Sequence, residues 1–480
     1  MLPFRVARTR LCVTPQSLLP RTYFSTKRRP SSSTLKKVAV GCAITVPALW
    51  YLIHARMVLD DAPYLQDPPT DHWDVEPSPY KDQVTSILSQ GSYVAPVQNV
   101  PGVVRYDGAQ VASNNPCEDY FIHGKFPSPW NDGNQWMAWG LFDGHGGGHT
   151  AELLKEKLLP FVRHSLNQVE RSPDGRMVPE ELIQHAIMKG FQNLDNSIIE
   201  TALSTSQSER LLQEKVKRLT PAFSGSCALL SLYDPSAKTL HVACTGDSRA
   251  VLGSLGTDGK WEATPLSVDQ TGFNEEEAAR IHDEHPGENV VVQGRVLGFG
   301  TSRAFGDSQL KWPLDFQQEV YQRFYGPSWN GAIQTPPYVT AKPVVTSTKI
   351  DPESPSFLIM ATDGLWDMLS SQQAVDLVGK WLEPDAPENR TDPEPTYEPF
   401  DFGPLWKGME WKFVDGRTTA QDDNVAVHLV RNSLGGNHHE MLAGRLALSP
   451  PFSRHARDDV TVQVVFFHRN GHRNKYQSSD

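Results

Sequence analysis

Between about Ala95 and Phe467 the chain alternates short apolar runs with polar turns, and that alternation sets the elements to expect. Runs rich in β-branched and aromatic residues at Trp136–Phe142, Cys227–Tyr233, Thr239–Cys244, Ala250–Gly253, Phe357–Ala361 and Val460–Phe467 predict strands. Asp234-Pro235-Ser236-Ala237 carries turn chemistry, so the runs on either side of it should pair as an antiparallel hairpin. Apolar positions at helical spacing predict helices over Thr150–Leu159, Pro179–Ile199, Asn274–Glu284 and Ser371–Trp381. Asn274 is followed by three glutamates, a pattern that suits an N-cap and the positive end of a helix. Hairpin strands with separate helices predict a layered α+β fold rather than a doubly wound sheet. The tract Glu383–Pro404, rich in Pro, Asp and Glu, reads as an exposed insertion.

The first residues follow a different pattern. Met1 to Lys37 contains no Asp or Glu, while Arg5, Arg8, Arg10, Arg21, Lys27, Arg28, Arg29, Lys36 and Lys37 are basic and Ser and Thr fill much of the rest. Residues 1–37 therefore read as a mitochondrial transit peptide. The apolar run Val38–Ile53 is shorter than the roughly 20 residues of a usual spanning helix and contains Pro47. With its basic flanks it still predicts a single inner-membrane span within 38–59. If that span arrests import, the basic side stays in the matrix and the rest faces the intermembrane space. If it is cleaved or passes through, the remainder lies in the matrix. Residues 60–94 read as a linker, 95–470 as one domain and 471–480 as a tail.

Composition narrows the chemistry. Of 480 residues, 39% are hydrophobic, enough for a large core, and the net charge of −11 speaks against nucleic acid as the partner. The cysteines (Cys12, Cys42, Cys117, Cys227, Cys244) include no CxxC pair, which excludes a zinc-ribbon pattern and a disulfide framework.

Carboxylates recur at strand ends. Asp143-Gly144-His145-Gly146-Gly147-Gly148 follows one apolar run, and Asp363-Gly364-Leu365-Trp366-Asp367 follows another. Arg457-Asp458-Asp459 precedes the last strand, Glu118-Asp119 precedes Tyr120-Phe121-Ile122, and Gly246-Asp247-Ser248-Arg249 follows the strand ending at Cys244. Each alone suits an ordinary turn. Converging together, they would repel one another unless cations neutralised them, and oxygen-only ligation favours Mg²⁺ or Mn²⁺. The spacing by itself reaches a metal-dependent hydrolase and no further.

These segments, with Ser224-Gly225-Ser226 and Ser302-Arg303-Ala304-Phe305-Gly306-Asp307, occur in an order that resembles the PPM (type 2C) family of metal-dependent protein phosphatases. Val111–Asp119, Lys311-Trp312-Pro313, Thr335–Ala341 and Asn424–Gly436 look most like the pyruvate dehydrogenase phosphatases within it. The resemblance implies a four-layer α-β-β-α sandwich, two antiparallel sheets flanked by helices. It implies hydrolysis of phosphoserine or phosphothreonine in a phosphoprotein by a metal-activated water, with the pyruvate dehydrogenase complex as the substrate it suggests. Two Mg²⁺ or Mn²⁺ ions are implied: Asp143 bridging, the Gly144 carbonyl completing one sphere, Asp363 and Asp458 on the first ion, Glu118 on the second. Asp119 would orient water, Asp247 and Asp367 would form a weaker third site, and His145 would be the general acid. Arg303 and Asp307 would only organise loops. The chain departs from the family in carrying Asn114 where many members place a phosphate-gripping Arg; Arg105 or another cation would have to substitute. The alternative from another class is a catalytically inactive PPM-like adaptor.

Overall fold

The computed structural model describes residues 80–130, 132–170, 178–351, 353–383, 396–407 and 411–467. All lie in the second of two compact units, which begins at Pro77. The expected transit peptide 1–37, the span 38–59 and the tail 471–480 fall outside the described residues. No described helix is long and apolar enough to cross a membrane.

Two antiparallel sheets form the centre. The first has the order Tyr93–Pro96, Arg105–Val111, Val460–Phe466, Ser356–Ala361, Arg249–Leu255, Trp261–Pro265. The second has the order Val344–Lys349, Thr239–Thr245, Ala228–Asp234, Gln135–Phe142, Tyr120–Pro127. The hairpin expected around Pro235 is present, with Asp234 opposite Thr239.

Period-2 alternation assigns each strand residue to a layer. On Ser356–Ala361, Leu358 and Met360 join Trp139, Leu141, Leu229, Val242 and Leu252 in the core between the sheets. Phe357, Ile359 and Ala361 face outward, under helices Ser371–Leu382 and Val425–Leu434. On the far side Trp136, Ala138 and Phe142 pack under helices His149–Asn167 and Glu180–Gln207. The result is the four-layer α-β-β-α sandwich.

Local chemistry fixes the helix starts. Asn274 Oδ1 accepts from the backbone N–H groups of Glu276 (3.0 Å) and Glu277 (3.5 Å), as its N-cap position requires. Ser370 and Gln373 close a capping box at 3.2 and 2.9 Å. The expected linker 60–94 holds more structure than its Pro and Asp content suggests. Tyr80–Ser89 is helical, and Val84 and Leu88, four residues apart, are buried with the first sheet's helix layer. The folded region therefore starts upstream of residue 95.

Candidate active site

Strand register brings distant carboxylates to one end of the sandwich. In the second sheet Phe142 pairs with Tyr120 and Ala228 with Thr245, so Asp143, Glu118-Asp119 and Gly246-Asp247 leave the same edge. In the first sheet Ala361 pairs with both Arg249 and Val462, and Val460 with Val111. That register puts Asp363, Asp458 and the start of Arg249–Leu255 at the corresponding edge. Asp247 sits where the chain crosses from one sheet to the other.

Four of these carboxylates act directly on one another. Asp143 is pushed well above the ordinary carboxylate range by burial and then by the charges of Asp363, Asp119 and Asp247. It shares a hydrogen bond with Asp363, whose own carboxyl is raised by burial. Asp119 is pushed up to about 8, mainly by burial, although Thr461 Oγ1 (2.7 Å) and Thr362 Oγ1 (3.0 Å) both donate to its Oδ2. Because Thr461 lies in a strand of the first sheet and Thr362 directly follows its neighbour, Asp119 ties its loop to that sheet. Asp247 rises to about 7 through burial and the Asp363 charge, and Cys227 Sγ donates to its Oδ1 at 3.3 Å.

Glu118 is held nearby by the second aspartate of Arg457-Asp458-Asp459, to which the sequence assigns no role. Asp459 accepts from the backbone N–H groups of Ser113, Asn114 (2.8 Å) and Glu118 (2.9 Å), and from Asn114 Nδ2 at 3.0 Å. Asn114 is thus spent on pinning the loop. Gly144 lies against the same loop: a Cβ there would stand 2.4 Å from the Glu118 carbonyl oxygen, so no side chain fits.

Other expected residues are placed differently. Asp458 is paired with Arg454 rather than with another carboxylate. Asp367 lies exposed, one helical turn beyond Asp363, where its charge acts on Arg249. Among the described residues no three His, Cys, Asp or Glu side chains converge closely enough to enclose an ion as they stand. Arg105, the suggested phosphate ligand, is bound to Asp107 at 2.6 Å, stacks over Trp381 and sits at the opposite end of the sheet, beside Phe466.

His145 has a partner that the sequence did not reveal. Its Nε2 is 2.8 Å from Asp307 Oδ2. Burial alone would lower the imidazole pKa, but the Asp307 charge and hydrogen bond, aided by Asp247 and Glu118, carry it up to about 9. Asp307 is itself held in the left-handed region at φ 47°, following Gly306. The Gly306 backbone N–H donates to Asp195 (3.0 Å), which is paired with Lys311 at 2.7 Å. Arg303, by contrast, organises a loop as expected, clamping Glu277 at 2.6 and 3.0 Å. The signal that separates them is the Gly306-Asp307 pair at the end of the motif, the same order as Gly246-Asp247.

The layered sandwich thus carries half-buried carboxylates and a histidine paired with an aspartate along one edge. Residues 110–392 match the family model "Protein phosphatase 2C", and the chain belongs to that family. A protein phosphatase 2C homolog of Schizosaccharomyces pombe is 40% identical over 404 residues, covering 83% of this chain and 86% of that protein. The mitochondrial [pyruvate dehydrogenase [acetyl-transferring]]-phosphatase 1 of Saccharomyces cerevisiae is 37% identical, covering 77% and 70%. Human [pyruvate dehydrogenase [acetyl-transferring]]-phosphatase 2, mitochondrial, is 31% identical, covering 80% and 83%. The protein is a protein serine/threonine phosphatase of a metal-dependent family and acts on phosphoproteins; these findings do not support the inactive-adaptor alternative.

Proposed function

We propose that the edge carboxylates hold two divalent cations, Mg²⁺ or Mn²⁺, and that the chain dephosphorylates the pyruvate dehydrogenase complex in mitochondria. The observation that carries the metal assignment is the mutual repulsion of Asp143, Asp363, Asp119 and Asp247, oxygen donors half-buried or buried together. Such a set fits a hard cation and no soft one. Asp143, Asp363, Asp458, Glu118 and the Gly144 carbonyl would hold the pair, with Asp119 orienting water and Asp247 and Asp367 forming a weaker third site. When bound, the cations would acidify water and offset charge on the phosphoryl oxygens. His145 donates the leaving-group proton. Its Nε2–H is committed to Asp307, which leaves Nδ1–H for the serine or threonine oxygen.

The mitochondrial assignment is supported by the basic, acid-free leader and by the names of the relatives. Protease protection in mitoplasts would report whether 38–59 anchors the protein and which side the domain faces. Turnover of a phosphoserine peptide should vanish in Asp143→Asn and Asp363→Asn while both variants keep the wild-type circular dichroism. Near wild-type turnover in either would remove the metal assignment.

A further inference from the structure

A phosphate monoester brings about −1.5 to −2 charges into an edge already lined with carboxylates, and a side-chain cation there would add to what the proposed metal ions offset. Most arginines around this edge are committed elsewhere. Arg249 is forked onto Asp269 at 2.5 and 2.9 Å and stacks over Trp366. Arg303 is clamped to Glu277, and Arg457 donates to the carbonyls of Ala112, Arg445 and Leu448. Asn114 is tied to Asp459.

Arg454 is different. It sits on the short 3₁₀ turn Phe452–His455, with its side chain 47% exposed, and its ion-pair partner is Asp458. Its positive charge also reaches Glu118 and Asp363, which come from different elements of the two sheets. It is therefore a half-exposed cation beside the carboxylate edge, held by an aspartate that the proposed function assigns to a cation, on a turn whose Ser453 Oγ donates to the Ser113 carbonyl.

We propose that Arg454 grips the substrate phosphate, its guanidinium fork donating to the non-bridging oxygens while Asp458 turns to the metal. This inference rests on the phosphatase reading above. Arg suits the task because its planar donors match a phosphate face in a way that a lysine point charge does not. The grip enters from the loop before the last strand, which Ser453, Arg457 and Asp459 bond directly to the Ala112–Asn114 segment, itself without a cation.

The test uses the full chain loaded with Mn²⁺, comparing wild type, Arg454→Gln and Arg454→Lys. Three quantities are read: KM and kcat on a phosphoserine peptide, competitive inhibition by inorganic phosphate, and Mn²⁺ affinity by titration calorimetry. Arg454→Gln should raise KM and weaken phosphate inhibition by on the order of tenfold to a hundredfold. Its Mn²⁺ affinity should be unchanged or tighter, because Asp458 is freed. Arg454→Lys should recover part of the phosphate affinity. Phosphate inhibition equal to wild type in Arg454→Gln would overturn the inference, as would a loss that merely tracks a loss of Mn²⁺. An active wild type with an indifferent Arg454→Gln sinks this inference alone, whereas a wild type without turnover sinks the phosphatase reading with it.

Discussion

Charge burial decides most of what single residues do here. Asp119 and Asp247 are raised to about 8 and about 7, so without metal the folded chain holds protons that an unfolded aspartate, near 4, has released. Stability from these groups is therefore complete in acid and is lost as pH rises from about 4 through about 8. In chelator the melting temperature should fall over that window, and Mn²⁺ should flatten the slope; a chelated chain that grows more stable on the alkaline side would contradict this. By the same physics Asp143→Asn should raise the melting temperature of the metal-free chain while removing activity. The His145–Asp307 pair makes a second pH statement. Asp307→Asn removes the charge that keeps the imidazole protonated, so the alkaline limb of kcat should move to lower pH. His145→Ala should cost roughly 10²- to 10⁴-fold on a phosphoserine peptide and clearly less on an aryl phosphate, whose leaving group needs no proton. The carboxylates are legible in sequence as acidic residues beside apolar strands, two of them in Asp-Gly pairs, and their roles come from resemblance. Asp307, expected only to organise a loop, proves to be the partner of His145, and Asp459 had no expected role, because nothing in one dimension shows which loop a side chain will meet.

At the scale of elements, what counts is how closely segments approach. The two-residue strands Gly144–His145, Gly225–Ser226 and Phe305–Gly306 form a small sheet that brings His145 beside Asp307. A Cβ on Gly225 would lie 2.1 Å from His145 Nε2 and 2.4 Å from Asp307 Oδ1. Gly225→Ala should therefore break the pair, reproducing the pH shift of Asp307→Asn with little change in circular dichroism; an unaltered pH profile would argue against the assigned geometry. The main strands and the helices with one apolar face could be read from periodicity. Val425–Leu434 is less plain: its polar positions His428, Arg431 and Asn432 fall at helical spacing, but all ten residues are buried and that polar side bonds to Leu377, Asp422 and Thr419 instead of facing water. The Tyr80–Ser89 helix was hidden by its small apolar face, Val84 and Leu88, within a Pro- and Asp-rich stretch.

Across the whole molecule, the site exists because two sheets stack with their strand ends in line. Trp139 and Leu358 are fully buried in the core between them. Leu358→Ala should cost about 2–5 kcal/mol and, through loosened stacking of the sheets, weaken metal binding as well; denaturant midpoints with Mn²⁺ titrations would report both. A layered α+β fold is accessible from hairpins and separate helices, and the four-layer sandwich from the family resemblance. The convergence of Asp143, Asp363 and Asp119 is not, because it depends on register between segments more than two hundred residues apart. The account as a whole depends on those carboxylates sharing cations. Titration calorimetry of Mn²⁺ into the metal-free full chain, wild type against Asp143→Asn, tests that most directly: wild type should bind tightly and Asp143→Asn should lose the tight phase, whereas undiminished binding in the variant would contradict the central claim.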